Sequence, residues 1–555
     1  MTSRIWPRPR LASFLTFLAV AASLQVGRAA DAEYKPAGQH FLADIGSNTT
    51  ACPDDLVVRT SLFTYQGAVS DETPTVRQFL GIPFAEPPVG PLRFRPPVTK
   101  RPLADGAVVD ATKYGSYCFQ HDNGVRTFYA ERAGHAMPED LEASEDCLTL
   151  DVWTARHGCD GPPTKKAVLI WIHGGALMTG GSASPYMRGN RLVARFPDDV
   201  VVVSINYRLN IFGFPRAGAL DGRHLNPAFL DVRMAVQWVY NNIGHFGGDP
   251  NRMVLFGNSA GGSHVDKYAY AWAHDPLVQG YICMSGQGEF TADPRDVSNF
   301  TYVAAQVGCA SDTDDYDAEF QCMQNVPAPT IMAVLNGYDS RQHGGRVLGF
   351  QPQSDNETSF GNYTDLQVRG LYSRLPTVIG NVDNEMASLY YPWTGEPPDQ
   401  ETLDLLSGLF VCPAAVAAKA RQVYGAGHHP TWRYRYFGVF PNMNPLPWMR
   451  AYHGSEFPMV FGTADTFGGP NTPAQDALSA YMQTAWVAFA KDPQKGLLDL
   501  GWPLYVEDEA TLVRLGHPDV AAPAAFDLVQ GDTYDGLCPN VMANLGDVVK
   551  RAMPP

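Results

Sequence analysis

Two kinds of apolar pattern alternate along the chain. Short unbroken runs rich in β-branched residues, Ala167-Val168-Leu169-Ile170-Trp171-Ile172 and Val200-Val201-Val202-Val203-Ser204-Ile205, are bounded by turn residues. A strand that is apolar at every position, not every second one, is covered on both faces, as in a parallel sheet. Met253 to Phe256, Tyr281 to Met284 and Thr377 to Ile379 repeat the pattern. Trp432 to Phe437 alternates apolar and charged residues, as a strand nearer an edge would. Between these runs, Leu230 to Ile243 carries Val232, Ala235, Val236 and Val239 at helical spacing, and Ala477 to Lys491 is amphipathic. Gly81 to Gly90, with Pro83, Pro87 and Pro88, can be neither helix nor central strand, because proline has no N–H to donate. The alternation predicts an α/β fold, a mostly parallel central sheet with helices on both faces. No break in composition marks a second domain, so residues 31–555 read as one unit.

The first thirty residues follow a different logic. Arg4, Arg8 and Arg10 precede a mostly apolar run, Leu11 to Val26, and Gly27, Ala29 and Ala30 supply the small residues of a cleavage site. This predicts a signal peptide and a secreted, extracellular product. A stable membrane anchor is disfavoured, because the run is short, Ser13, Thr16, Ser23 and Gln25 interrupt it, and no comparable run is evident later. Sequons at Asn48, Asn299, Asn356 and Asn362 fit export. With 45% hydrophobic and 18% charged residues, the 555-residue chain can bury a large core. Its formal charge of −16 argues against a nucleic-acid-binding surface. Nine cysteines occur in no C-x-x-C or His-rich spacing, so disulfides are expected, and no metal or other cofactor. Cys283, inside Tyr281-Ile282-Cys283-Met284, reads as a buried free thiol.

Candidate chemistry centres on Val254-Leu255-Phe256-Gly257-Asn258-Ser259-Ala260-Gly261-Gly262. Gly-x-Ser-x-Gly directly after a strand-like run and before a helix-compatible segment lifts a serine hydroxyl onto a strained turn, the nucleophile elbow of α/β-hydrolases. A serine hydroxyl attacks poorly unless a base takes its proton and a third group orients that base. In this fold the order is Ser, acid, His. His343, His428 and His429 precede the last strand-like run and His517 lies well beyond it, whereas His453 follows it in a loop. The strand Thr377 to Ile379 leads into Gly380-Asn381-Val382-Asp383-Asn384-Glu385, where spacing leaves both Asp383 and Glu385 open as the acid. Trp171-Ile172-His173-Gly174-Gly175-Ala176 is a strand ending in glycines, so the N–H groups of Gly175 and Ala176, with that of Ala260, are candidates for an oxyanion hole.

Several long motifs in order then identify a resemblance. Glu145-Asp146-Cys147-Leu148-Thr149-Leu150-Asp151-Val152-Trp153, Asn206-Tyr207-Arg208, and Asn241 to Pro250 leading into the elbow resemble the type-B carboxylesterase family, over about Phe79 to Trp502. The resemblance implies an α/β-hydrolase fold, a small-molecule ester as substrate, and hydrolysis through an acyl-enzyme. It selects Glu385 over Asp383 and supports His453. It also implies disulfides Cys118–Cys147 and Cys309–Cys322, leaving the pairing of Cys52, Cys159, Cys412 and Cys538 open. Glu145 and Asp146 are expected to make ion pairs with Arg93 or Arg95. Two departures stand out: Asn258 where the family usually has Glu, which removes a negative charge beside the serine, and Ala176 where many members have Gly. The loop from Phe119 to Asp146 has no Trp and is largely acidic, which argues against a cage for a quaternary ammonium and points to uncharged esters. A lipase or sterol esterase is the alternative, and a non-catalytic binding protein a weaker one. Oligomeric state is not readable.

Overall fold

The computed structural model describes residues 53–539 apart from 103–106, 122–136, 158–164, 221, 223, 289–295, 311–314, 344–347, 390–399, 425–428, 445 and 519–524. The N-terminal leader, the Asn48 sequon, Cys52, Cys159 and most of the acidic loop therefore lie outside the described residues.

An eleven-stranded sheet forms the centre. In chain order its strands are β1 (Ala68–Val69), β2 (Val76–Pro83), β3 (Thr149–Ala155), β4 (Lys166–Ile172), β5 (Val200–Ile205), β6 (Gly248–Asn258), β7 (Gly280–Met284), β8 (Thr377–Val382), β9 (Thr431–Tyr436), β10 (Ala510–Leu515) and β11 (Phe526–Gln530). Spatial order follows chain order except that β4 and β5 exchange places. From β5 through β4 and β6 to β10 every neighbour is parallel, while β1, β2, β3 and β11 pair antiparallel at the two ends. The exchange makes the carboxyl ends of β4 and β6 a switch point, where α/β sheets leave a crevice for ligands.

The unbroken apolar runs are buried on both faces. In β4, Val168, Ile170 and Ile172 enter one core and Ala167, Leu169 and Trp171 the other, all fully buried. Each such Val or Ile contributes about 1.5–3 kcal/mol on leaving water. Helix α1 (Pro227–Asn242) lays Val232, Ala235, Val236 and Val239 on the first face. A later helix, Pro473–Lys491, lays Leu478, Met482, Trp486 and Phe489 on the second, its start fixed by a Thr472–Gln475 capping box.

Four expectations need correction or extension. Of the strand runs above, Trp432 to Tyr436 does lie nearest a sheet end, as β9 third from it, but its charged positions are largely covered. Arg433 is buried with its guanidinium on Asp535, and Arg435 donates to the Asp383 carbonyl at 2.8 Å. The proline-bearing stretch does contribute a strand end, since β2 runs to Pro83, which pairs with Thr149 of β3 beyond an irregularity between Phe79 and Ile82. A second long apolar segment exists, Leu403–Val423, and by length and composition it could cross a membrane. It lies with 67% of that window buried inside the fold, as a core helix would. Finally, Asn299 is buried and its amide donates to the Gly349 carbonyl at 2.7 Å, so a glycan there would displace a packed side chain. Asn356 and Asn362 are exposed.

Disulfides join Cys118 to Cys147 and Cys309 to Cys322, and a third joins Cys412 to Cys538, while Cys283 is a buried free thiol. Arg93 makes a two-pronged ion pair with Glu145, both distances 2.6 Å, whereas Arg95 instead lies over the Phe320 ring.

Candidate active site

Ser259 sits between the end of β6 and the start of helix α2 (Ala260–Ala271), with φ 58° and ψ −124°. A non-glycine residue there stores roughly 1–3 kcal/mol of strain. The turn is held by the Ser259 N–H on the Met284 carbonyl at 2.9 Å and by the Ser263 N–H on the Ser259 carbonyl at 2.9 Å. Its glycines are dictated by contact. A Cβ on Gly257 would sit 2.6 Å from the Gly261 carbonyl group, and one on Gly261 would sit 2.0 Å from the Ile172 oxygen.

The loop after β4 runs directly beneath this turn. A Cβ on Gly174 would come within 3.1 Å of the Ser259 Cβ. Gly175, Ala176 and Leu177 all have positive φ, at 111°, 55° and 65°, which curls the loop around its own N–H groups. The Met178 and Thr179 N–H groups close it on the Gly175 carbonyl. Tyr207 braces it from below, donating to the His173 carbonyl at 2.8 Å and stacking on the His173 ring at 4.4 Å. Among the described residues no acceptor takes the N–H of Gly175, Ala176 or Ala260. Ala176 thus keeps a donor despite its side chain, and Ala260 adds one from the positive end of α2.

The candidate acid and base arrive from neighbouring strands. Glu385 opens the turn after β8 and is fully buried; His453 follows β9 and is 4% exposed. His453 Nδ1 lies 2.5 Å from Glu385 Oε2. The other oxygen, Oε1, accepts from the Ser285 hydroxyl at 2.8 Å, the Val382 N–H at 3.0 Å and the Asn381 amide at 3.1 Å. Burial by itself would push this carboxyl up. The bond and charge of His453, then the Val382 N–H and Ser285, outweigh it and hold the carboxyl below its ordinary value. His453 Nε2 is buried and has no partner among the described residues. The loop bearing His453 is tied to the Glu385 turn by the Asn384 N–H on the Ala451 carbonyl and by the Ser388 hydroxyl on the His453 carbonyl. The competing acid, Asp383, points elsewhere, 3.3 Å from Arg450.

Three residues here carried no predicted role. Ser285 follows β7 in Ser285-Gly286-Gln287-Gly288, a glycine-rich exit from a strand that could have flagged it. Phe410, on the helix Gln400–Tyr424, packs against the His453 ring at 4.6 Å with the planes tilted by 47°, and nothing in its surroundings in sequence predicts that. Glu456 accepts from the Asn258 amide at 2.9 Å, and burial, then the negative charge of Glu385, pushes it up to about 8. The charge lost by having Asn at 258 is therefore not restored by its neighbour at neutral pH.

A serine on a strained turn, a buried imidazole–carboxylate pair, and backbone N–H groups that have no acceptor among the described residues are the kinds of group that acyl transfer uses. Residues 54–405 match the model of the carboxylesterase family. The chain belongs to the carboxylesterase family. Relatives include the chlorogenic acid esterase of Aspergillus niger, 38% identical over 446 residues covering 80% of this chain and 84% of that one. Secreted lipase 5 of Gibberella zeae is 35% identical over 81% of this chain and 87% of its own length. The human cocaine esterase is 32% identical over 79% and 83%. Among solved structures, a thermophilic PNB esterase superimposes with a TM-score of 0.68 at 27% identity, covering 88% of this chain and all of the other. This carboxylesterase is a carboxylic ester hydrolase with the α/β-hydrolase fold, acting on small-molecule esters.

Proposed function

We propose that this carboxylesterase is secreted and cleaves uncharged carboxylic esters through a Ser259–His453–Glu385 triad. The observation that carries the reading is the His453–Glu385 contact of 2.5 Å with Nε2, on the side of the ring away from the carboxylate, left without a partner among the described residues. His453 takes the Ser259 proton as the hydroxyl attacks the ester carbonyl, and the N–H groups of Gly175, Ala176 and Ala260 hold the oxyanion. His453 then protonates the departing alcohol, and a water activated by the same ring releases the acid from the acyl-enzyme. Glu385 orients the ring and stabilises its charged form. Three disulfides, a leader-like N-terminus and exposed sequons at Asn356 and Asn362 support an oxidising, extracellular destination.

The second reading, long-chain lipid esters, is favoured by the kinship with a secreted lipase. A panel that varies acyl and alcohol parts independently separates the two: p-nitrophenyl acetate, butyrate and palmitate, with chlorogenic acid included because a fungal relative is named for it. Short or medium acyl groups should be preferred, and a rate on palmitate that rises at an interface would reverse the choice. Ser259→Ala serves as the blank and should lose about 10⁴-fold or more in kcat. A variant within tenfold of wild type would remove Ser259 from the mechanism.

A further inference from the structure

Behind the elbow lies a buried polar contact that the triad does not use. The Asn258 amide is the last side chain of β6, and it spans two elements: it donates to Glu456 Oε1 at 2.9 Å and approaches the Met284 carbonyl, at the end of β7, at 3.4 Å. Glu456 stands three residues after His453 on the same turn, and its carbonyl accepts from the Met459 and Val460 N–H groups that begin the next short helix. One hydrogen bond thus connects the residue before Ser259 to the turn that carries His453. Both partners are buried, Asn258 at 4% and Glu456 at 0% exposure. The second carboxyl oxygen, Oε2, is buried with no hydrogen-bond partner among the described residues.

The groups facing this carboxyl are all unable to neutralise a charge on it. Glu385, on the turn after β8, is negative; Tyr434 and Tyr436 from β9, and Tyr452 from its own turn, are neutral phenols whose ionisation burial suppresses. Asn258 offers a dipole, not a charge. Arg435, the nearby cation from β9, is engaged with Asp383. A carboxylate in such a place has lost its water and gained no counter-ion.

We propose that Glu456 is a positioning residue of this esterase: as a neutral acid tethered to Asn258 it keeps the serine elbow and the His453 turn in register, and its ionisation in alkali shuts turnover down. The inference rests on the triad reading above. The shutdown has one physical source: an ionised, unsolvated Oε2 drives the turn toward water and moves His453. The value of about 8 to which Glu456 is pushed sets where the fall begins. Above it the neutral fraction drops tenfold per pH unit.

The test is a pH profile of kcat from 6 to 10 on p-nitrophenyl acetate, corrected for spontaneous hydrolysis. Each protein is normalised to its own rate at pH 7, and circular dichroism monitors the fold at each pH. Wild type should fall about tenfold between pH 7 and pH 9. Glu456→Gln keeps the acceptor for Asn258 but cannot ionise, so its profile should change by less than about twofold over that range. Asn258→Leu removes the donor that helps the ionised form. It should move the alkaline fall to higher pH and lower kcat with little change in KM, a split that loss of packing alone would not give. A wild-type profile flat to pH 9, a Glu456→Gln profile superimposable on a falling wild type, or an unmoved fall in Asn258→Leu would each overturn the proposal. If Glu456→Gln does not fold, the other two measurements still decide. A Ser259→Ala chain that retains activity overturns the triad reading. An inert Ser259→Ala chain combined with superimposable profiles overturns this inference alone.

Discussion

Replacing Glu385 by Gln exchanges one oxygen for an NH₂ of nearly the same size, and the surroundings dictate which way the new amide turns. Oε1 now accepts three hydrogen bonds, from Ser285, Asn381 and Val382. Turning the NH₂ toward them would leave three buried donors unpaired, at about 1–3 kcal/mol each. The amide oxygen therefore stays at Oε1 and the NH₂ faces His453 Nδ1. A donor there cannot accept the Nδ1 proton, so the ring adopts the other tautomer and carries its proton on Nε2, the nitrogen that must be bare to receive the Ser259 proton. Enforcing the wrong tautomer costs about 10⁴-fold in kcat, which corresponds to roughly 5 kcal/mol of barrier. Steady-state rates and burst amplitudes with p-nitrophenyl acetate measure the effect, and KM should move little because no substrate contact is touched. Asp383→Asn, on the residue that sequence spacing left equally eligible, should retain activity within a few-fold. A Glu385→Gln enzyme within about 30-fold of wild type would refute the reasoning.

Two further outcomes concern stability. Cys412 and Cys538 close a stretch of 126 residues. By chain entropy their joint replacement by Ala should remove about 5 kcal/mol, read as a lowered guanidinium midpoint; a loss below about 1 kcal/mol would contradict that account. The carboxyl of Glu456, raised in the folded chain from 4.5 to about 8, keeps a proton that the unfolded chain releases. Its contribution is present below pH 4.5 and is lost as pH rises to about 8, with stability falling by about 1.4 kcal/mol per pH unit across that window. Glu456→Gln should flatten this slope in unfolding titrations between pH 5 and 8.

The central strands were legible because a segment buried on both faces has to be almost wholly apolar, and β4 after Lys166, β5 apart from Ser204, and the core of β6 are. The catalytic candidates were legible because steric limits write themselves as glycines, at Gly257 and Gly261, and because chain order restricted the base to His453. What stayed hidden depended on partners distant in sequence. β9 alternates as a strand nearer an edge would and does lie third from the sheet's end; what the alternation could not show is that Arg433 is covered by Asp535, which lies 102 residues further on. The choice between Asp383 and Glu385 could not be made from local spacing, because what separates them is that Arg450 and Arg435 draw Asp383 away. Likewise Asn258 was visible as a departure, but its meaning required Glu456, 198 positions later, to be folded against it.

The elbow draws together segments at residues 174–176, 259, 385 and 453, and they meet because neighbouring parallel strands finish on one rim of the sheet. A chain emerging from the ribosome builds this rim in order. Its serine turn can form once β7 is in place, yet Glu385 and then His453 appear only after β8 and β9 have been added. If the proposed triad is the machinery, the growing chain is a platform without its base until the far portion is laid against strands already assembled.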